Sequence, residues 1–264
     1  MLVDIGVNLS SDRFSDDTED VLQSAWANGV EKLILTGTSV KESKKVLDLL
    51  KDHRQHFPGT LHATAGIHPH YANEFCSTSV QSLRNLTDDP RVVAVGETGL
   101  DFYRNLSSIE NQVKSFEAHL ELASEIGLPL FMHEREASKR QIAILRSYRN
   151  GFTKGVIHCF TGNRKTLYKY LDMDLYIGIT GWICDERRGL ELQKIVADIP
   201  LERLMVETDS PYLLPRNMAF PPKSRRNEPA FLPWVIAGIA KCRPESEVEI
   251  LEQTGKTATE FFRL

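Results

Sequence analysis

The sequence has no run of the ~18 or more apolar residues that a membrane-spanning helix requires, which excludes a helical membrane span. It holds four cysteines, Cys76, Cys159, Cys184 and Cys242, widely scattered and without a CxxC pair. That spacing argues against a zinc ribbon or a disulfide scaffold and for reduced thiols in a cytoplasmic protein. The opening Met1-Leu2-Val3-Asp4 lacks the basic, apolar and small-residue zones of a signal peptide, so a cytoplasmic location is expected. No low-complexity linker interrupts the chain, and residues 1–264 read as one domain. An excess of basic charge is also missing. The formal net charge is −4, whereas a protein that coats nucleic acid indiscriminately is usually strongly basic. Any contact with nucleic acid must therefore use a local positive patch or a metal.

The 41% hydrophobic and 26% charged residues are those of an ordinary soluble protein. The length of 264 residues is close to the ~250 usual for a (β/α)8 barrel. Eight short runs rich in Val, Ile and Leu, at 2–5, 32–35, 62–65, 92–95, 129–132, 155–157, 175–179 and 203–206, alternate little, as parallel strands buried on both faces do. Helix signals lie between them. Val21, Leu22, Ala25 and Trp26 share one face, with Gly29 placed to end the helix. Ser39 to Glu42 and Ser107 to Glu110 have capping-box spacing, and the stripe Val113, Phe116, Leu120 and Ala123 stops at Gly127. Eight βα repeats predict an α/β TIM barrel, with an open doubly wound sheet as the alternative.

A barrel makes a checkable demand: catalytic side chains should follow the C-terminal ends of strands. His68 and His70 follow the third strand, Glu97 and Asp101 the fourth, His133 and Arg135 the fifth, His158 the sixth and Asp209 the eighth. A lone histidine there is usually a hydrogen-bonded structural residue, and a lone aspartate a helix cap. Glu97, His133, His158 and Asp209 would all have to be such residues at once. Two imidazoles and two carboxylates at one mouth instead suit a divalent ion.

The segments DIGVNL (4–9), GIHPH (66–70), GETGLDF (96–102), PLFMHER (129–135), HCFTG (158–162) and ETDSPYLLP (207–215) together resemble the TatD-related deoxyribonuclease family of metal-dependent hydrolases. GITGWICDERRGLEL (178–192) and SRRNEP (224–229) are similar to the branch that gives the family its name. The resemblance runs nearly end to end. It implies a monomeric cytoplasmic TIM barrel acting as a magnesium-dependent 3′→5′ exonuclease on single-stranded DNA and RNA, with a role in DNA repair. Matched motif by motif, Glu97, His133 and His158 would be metal ligands. Asp209 would be a ligand or the base that positions the attacking water, and His68 would lie near the scissile phosphate. Much of the wider family has an HxH pair where this chain has Gly6 and Asn8. That departure predicts one firm metal site and one weak site left to Glu97, Asp209 and the Asn8 amide oxygen, which favours Mg2+, with Mn2+ or Zn2+ as other candidates.

Arg135, the pair Arg187-Arg188 and the pair Arg225-Arg226 follow the fifth, seventh and eighth strands. They either clamp phosphates or pair with Asp185, Glu186 and Glu228. Phe102, Tyr103, Trp182 and Tyr212 either stack bases or pack under loops. Two other functions compete: a metal-dependent ester hydrolase such as an aminoacyl-tRNA deacylase, and a non-catalytic interaction protein. The full set of four metal-capable residues argues against the second.

Overall fold

In the computed structural model, which describes residues 1–264, eight strands alternate with helices: β1 (Leu2–Val7), β2 (Val30–Leu35), β3 (Leu61–Ala65), β4 (Val92–Asp101), β5 (Leu130–Arg135), β6 (Gly155–Ile157), β7 (Tyr176–Ile179) and β8 (Leu204–Val206). They form one parallel sheet in sequence order. Its two edges meet at Val7 and Ser210, where the Asn8 N–H donates to the Ser210 carbonyl at 2.8 Å and the Asp209 N–H to the Gly6 carbonyl at 2.9 Å. The predicted (β/α)8 barrel is therefore the architecture observed. Helices α1 (Thr18–Ala27), α2 (Val40–Asp52), α3 (Ser79–Thr87), α4 (Ile109–Ile126), α5 (Ser138–Tyr148), α6 (Arg164–Leu171), α7 (Leu190–Ile195) and α8 (Leu232–Ala240) follow the strands in turn. A ninth helix, α9 (Glu247–Phe262), opens on a complete capping box at Ser246 and Glu249. Its Phe261 and Phe262 pack with Val3, Ile5, Phe131 and Met205 of the strands. No helix is long and apolar enough to cross a membrane.

The largest core cluster, 53 buried residues, includes both strand and helix side chains. Each apolar side chain fully buried in it stabilises the fold by roughly 1.5–3 kcal/mol. The helix signals hold with three differences. Trp26 stands 55% exposed, beyond the edge of the buried face formed by Val21, Leu22 and Ala25. Ser39 caps α2 by accepting the Glu42 N–H, without the reciprocal half of a capping box. The cap of α4 is Ser108 rather than Ser107. Ser107 is occupied elsewhere, its hydroxyl donating to the His70 carbonyl and accepting the Asn73 N–H.

The fourth strand differs most. It does not end at residue 95 but pairs with β5 as far as Asp101 and Arg135, with a register shift between Val95 and Thr98. Irregularities of this kind re-aim side chains at barrel rims, and this one lies beside Glu97.

Candidate metal centre

Glu97, at the register shift of β4, is the hub. One of its oxygens, Oε1, lies 3.2 Å from His68 Nε2, 3.1 Å from His133 Nδ1 and 2.7 Å from His158 Nε2. The ligand atoms of His68, Glu97 and His133 are all within 4.8 Å of one another. Glu97, His68 and His158 are buried, while His133 is partly open to the mouth.

The second nitrogen of each ring separates two roles. His133 turns Nε2 to Asp101 Oδ2 at 3.3 Å, and His158 turns Nδ1 to Glu207 Oε2 at 3.3 Å. Each therefore has one nitrogen on Glu97 and the other on an orienting carboxylate, the usual support of a metal-binding histidine. Burial alone would lower both pKa values. Asp101 and Glu97 outweigh it at His133, and Glu97 and Glu207 at His158, so both lie above the ordinary histidine value. Protons held between histidine and carboxylate in this way occupy positions a divalent cation can take over. The donor set fits a metal.

His68 is different. Its Nδ1 accepts the His70 N–H at 3.0 Å, so in the neutral ring Nε2 carries the proton and acts as a donor. Burial pushes His68 down to about 4, against the pull of Glu97, which keeps that neutral form at pH 7. His68 thus turns an N–H, rather than a lone pair, toward Glu97 Oε1. Burial disfavours charge on Glu97 too, but the surrounding His68, His158 and His133 hold it well below the usual carboxylate range.

Asp209 has a left-handed backbone (φ 52°) and accepts a hydrogen bond from Asn8 Nδ2 at 2.9 Å. Burial, with the neighbouring Glu97 and Glu207 carboxylates, pushes it up to about 7 against the attraction of His158. The Asn8 amide nitrogen is the atom turned to Asp209, so its oxygen, which the sequence suggested as a ligand, is not used in that bond.

Asp101 and His70, which the sequence places after strand ends, and Glu207, which it did not single out, complete the mouth. Glu207 is fully buried, and its Oε1 accepts the Cys159 N–H. A Cβ on Gly6 would come within 2.3 Å of its Oε2, and one on Gly178 within 2.6 Å of its Oε1. Glycines on β1 and β7 thus make the space that β8's carboxylate fills. A histidine at position 6 would have to displace that carboxylate. Asp101 bridges His70 Nε2 at 2.7 Å and His133.

The arginines divide. All five N–H groups of Arg226 are used, by Glu228, Asp17 and the Arg13 carbonyl, at 2.6–3.2 Å. It ties the loop after β8 to the segment preceding α1 and has no donor left for a phosphate. Arg226→Ala should cost about 2 kcal/mol, the scale of hydrogen bonds to charged groups, seen as a fall of about 4–8 °C in melting temperature. The salt dependence of single-strand binding by the folded variant should be unchanged, and a flattened slope would restore Arg226 to the substrate. Arg188 pairs through Nε with Asp185 Oδ2 at 2.8 Å. Arg187 and Arg225 are exposed, and Arg135 Nη1 donates to Thr161 at 3.0 Å. Tyr103 and Tyr212 are exposed, while Phe102 and Trp182 are half-buried.

A barrel of parallel strands with histidines and carboxylates gathered at their C-terminal ends defines the class as a metal-dependent hydrolase. Comparison with known proteins narrows the class. The family model described as "TatD related DNase" matches residues 3–263. The chain belongs to the TatD-related DNase family. It is 46% identical to the 3′-5′ ssDNA/RNA exonuclease TatD of Erwinia tasmaniensis, with all of both chains covered. It is 43% identical to the protein of that name from Salmonella typhimurium, covering 100% of this chain and 99% of that one. Among solved structures it resembles a TatD-family hydrolase from Entamoeba histolytica, with TM-score 0.91, 26% identity and 99% and 97% of the two chains covered. A TatD homolog from Escherichia coli gives TM-score 0.89, 28% identity and coverage of 100% and 98%.

Proposed function

We propose that this chain is a divalent-metal-dependent phosphodiesterase removing nucleotides from the 3′ ends of single-stranded DNA and RNA. The observation that carries the reading is the convergence of His133 and His158 on one Glu97 oxygen, each backed by a second carboxylate. Full-length similarity to exonucleases named for single strands supports the substrate class.

Glu97, His133 and His158 would hold the cation, with Asp209 and Glu207 offering oxygen donors beside them. When bound, the cation supplies positive charge to the phosphoryl oxygens as negative charge develops there. His68, whose Nε2–H lies 3.2 Å from Glu97 Oε1, is assigned to donate to a phosphate oxygen. Asp209, held by the Asn8 amide, is the carboxylate assigned to orient the attacking water and accept its proton. Hard oxygen donors next to the histidine pair favour Mg2+ or Mn2+ over tightly held Zn2+. One chain carries every residue of the site, so a monomer suffices. Four free cysteines agree with a cytoplasmic location, where trimming unpaired 3′ ends would serve DNA repair.

The test uses single-stranded oligonucleotides with free or blocked 3′ ends. The blocked end should resist cleavage, and equal cutting of both would overturn the exonuclease assignment. Enzyme dialysed against a chelator should be inactive and recover as Mg2+ or Mn2+ is raised to about millimolar, since hard ions held by few carboxylates bind loosely. Full activity in the chelator would refute metal dependence.

A further inference from the structure

The end of β5 and the loops after β4 and β7 bring together four side chains that the metal centre does not use. The Arg135 guanidinium lies 5.1 Å from the ring centroid of Tyr103 and 5.1 Å from that of Trp182. Arg188 lies over the same Trp182 ring at 4.5 Å, and the indole N–H donates to the Arg188 carbonyl at 3.1 Å. Tyr103, Arg135, Trp182 and Arg188 thus form a continuous run of flat groups. It is anchored at two points. Arg135 bonds Thr161, three residues after His158, and Arg188 is fixed by Asp185, a buried carboxylate that also accepts the Arg187 and Arg188 N–H groups.

Two features separate this run from ordinary packing under loops. Tyr103 is 58% exposed, so the stack ends on an aromatic ring open to solvent. The guanidiniums also keep donors in reserve: Arg135 bonds through Nη1 alone and Arg188 through Nε alone, in contrast to the saturated Arg226. Charge gives a further reason. Glu97, Asp101, Glu207 and Asp209 crowd the mouth of a chain whose net charge is −4. A polyanion can approach such a mouth only beside fixed positive groups, and these two arginines supply them.

We infer that this stack is the seat of one nucleotide of the substrate strand, whose base lies on the Tyr103 ring and whose phosphate takes the free N–H groups of Arg135 and Arg188. Stacking is indifferent to base identity because every base has a π-face, so the seat selects an unpaired nucleotide rather than a sequence. A base held in a duplex cannot reach the ring without leaving its partner. The seat therefore accounts for single-strand preference, and it rests on the nucleic-acid reading proposed above.

The experiment measures binding of 3′-blocked single-stranded dodecamers to the Mg2+-loaded enzyme by fluorescence anisotropy, with an abasic residue moved through the last four positions. Tyr103→Leu should weaken binding of the unmodified strand about 10-fold, within the range for one base on an aromatic ring. At one abasic position the wild type should lose the same factor, and there Tyr103→Leu should lose nothing more. Tyr103→Phe should keep wild-type affinity, and circular dichroism verifies the fold of each variant. Arg188→Gln should flatten the log–log salt dependence by about 0.7. Unaltered affinity in Tyr103→Leu, or a penalty that persists at every abasic position, overturns the seat. Hydrolysis of free 3′ ends is followed separately. The positional pattern without hydrolysis would uphold the seat and refute the exonuclease, and hydrolysis without the pattern would do the reverse.

Discussion

His133→Ala and His158→Ala are each expected to lower hydrolysis by about 10³-fold or more, because a catalytic cation contributes several kcal/mol and each 1.36 kcal/mol is tenfold in rate. Bound metal should fall in both variants. Their stabilities should differ. His133 is 20% exposed at the mouth, so its loss leaves Asp101 still paired with His70. His158 is 4% exposed, and its removal leaves the fully buried Glu207 with the Cys159 N–H but no imidazole. Uncompensated buried charge is costly, so His158→Ala should melt below His133→Ala. Metal analysis, thermal melting and nuclease assays on both variants check this. Wild-type activity in either folded variant would overturn the ligand assignment.

The second large effect is expected at Gly6. Restoring the family's first histidine by Gly6→His should build no additional metal site, and Gly6→Ala should already be damaging. The added Cβ would lie 2.3 Å from Glu207 Oε2, and the other oxygen of that carboxylate is already packed against Gly178. Overpacking of this kind costs about 1–3 kcal/mol. The displaced carboxylate would also stop orienting His158, and loss of such an orienting partner costs about 10–100-fold in activity or metal affinity. Glu207→Asp, one methylene shorter, should recover part of the lost stability when combined with Gly6→Ala. A Gly6→Ala protein with wild-type melting temperature and activity would show that the space is not restrictive.

Most of the scaffold was legible because a parallel barrel strand, buried on both faces, is written as a short unbroken apolar run. The strand that misled was β4. Gly96 and Gly99 look like the end of a strand, yet they have φ values of 150° and 136°, and pairing continues past them to Asp101. Glycine inside a strand marks a bulge as readily as a stop, and only the register against β5 distinguishes the two. Glu97, His133, His158 and Asp209 could be picked out as candidates because each follows a short apolar run in the sequence. Glu207 was read as part of a motif rather than as a site residue. Its signal was the pair of glycines at 6 and 178, which carries meaning only once β1, β8 and β7 are known to be neighbours. Arg226 could not be separated from Arg188 by sequence, since Asp17, the partner that occupies it, lies 209 positions away.

The meeting of the two sheet edges has a consequence for when the enzyme becomes competent. Asn8 reaches Asp209 across 201 positions, and Asp4 bonds Thr208 across 204. A chain halted between residues 158 and 207 already contains Glu97, His133 and His158, yet it lacks Glu207 and Asp209, and β1 is paired with β2 alone. Contacts this distant in sequence form late, because the cost of closing the loop falls due before they can repay it. The last acids of the mouth thus arrive with the last strand, and a half-made barrel carries an incomplete site.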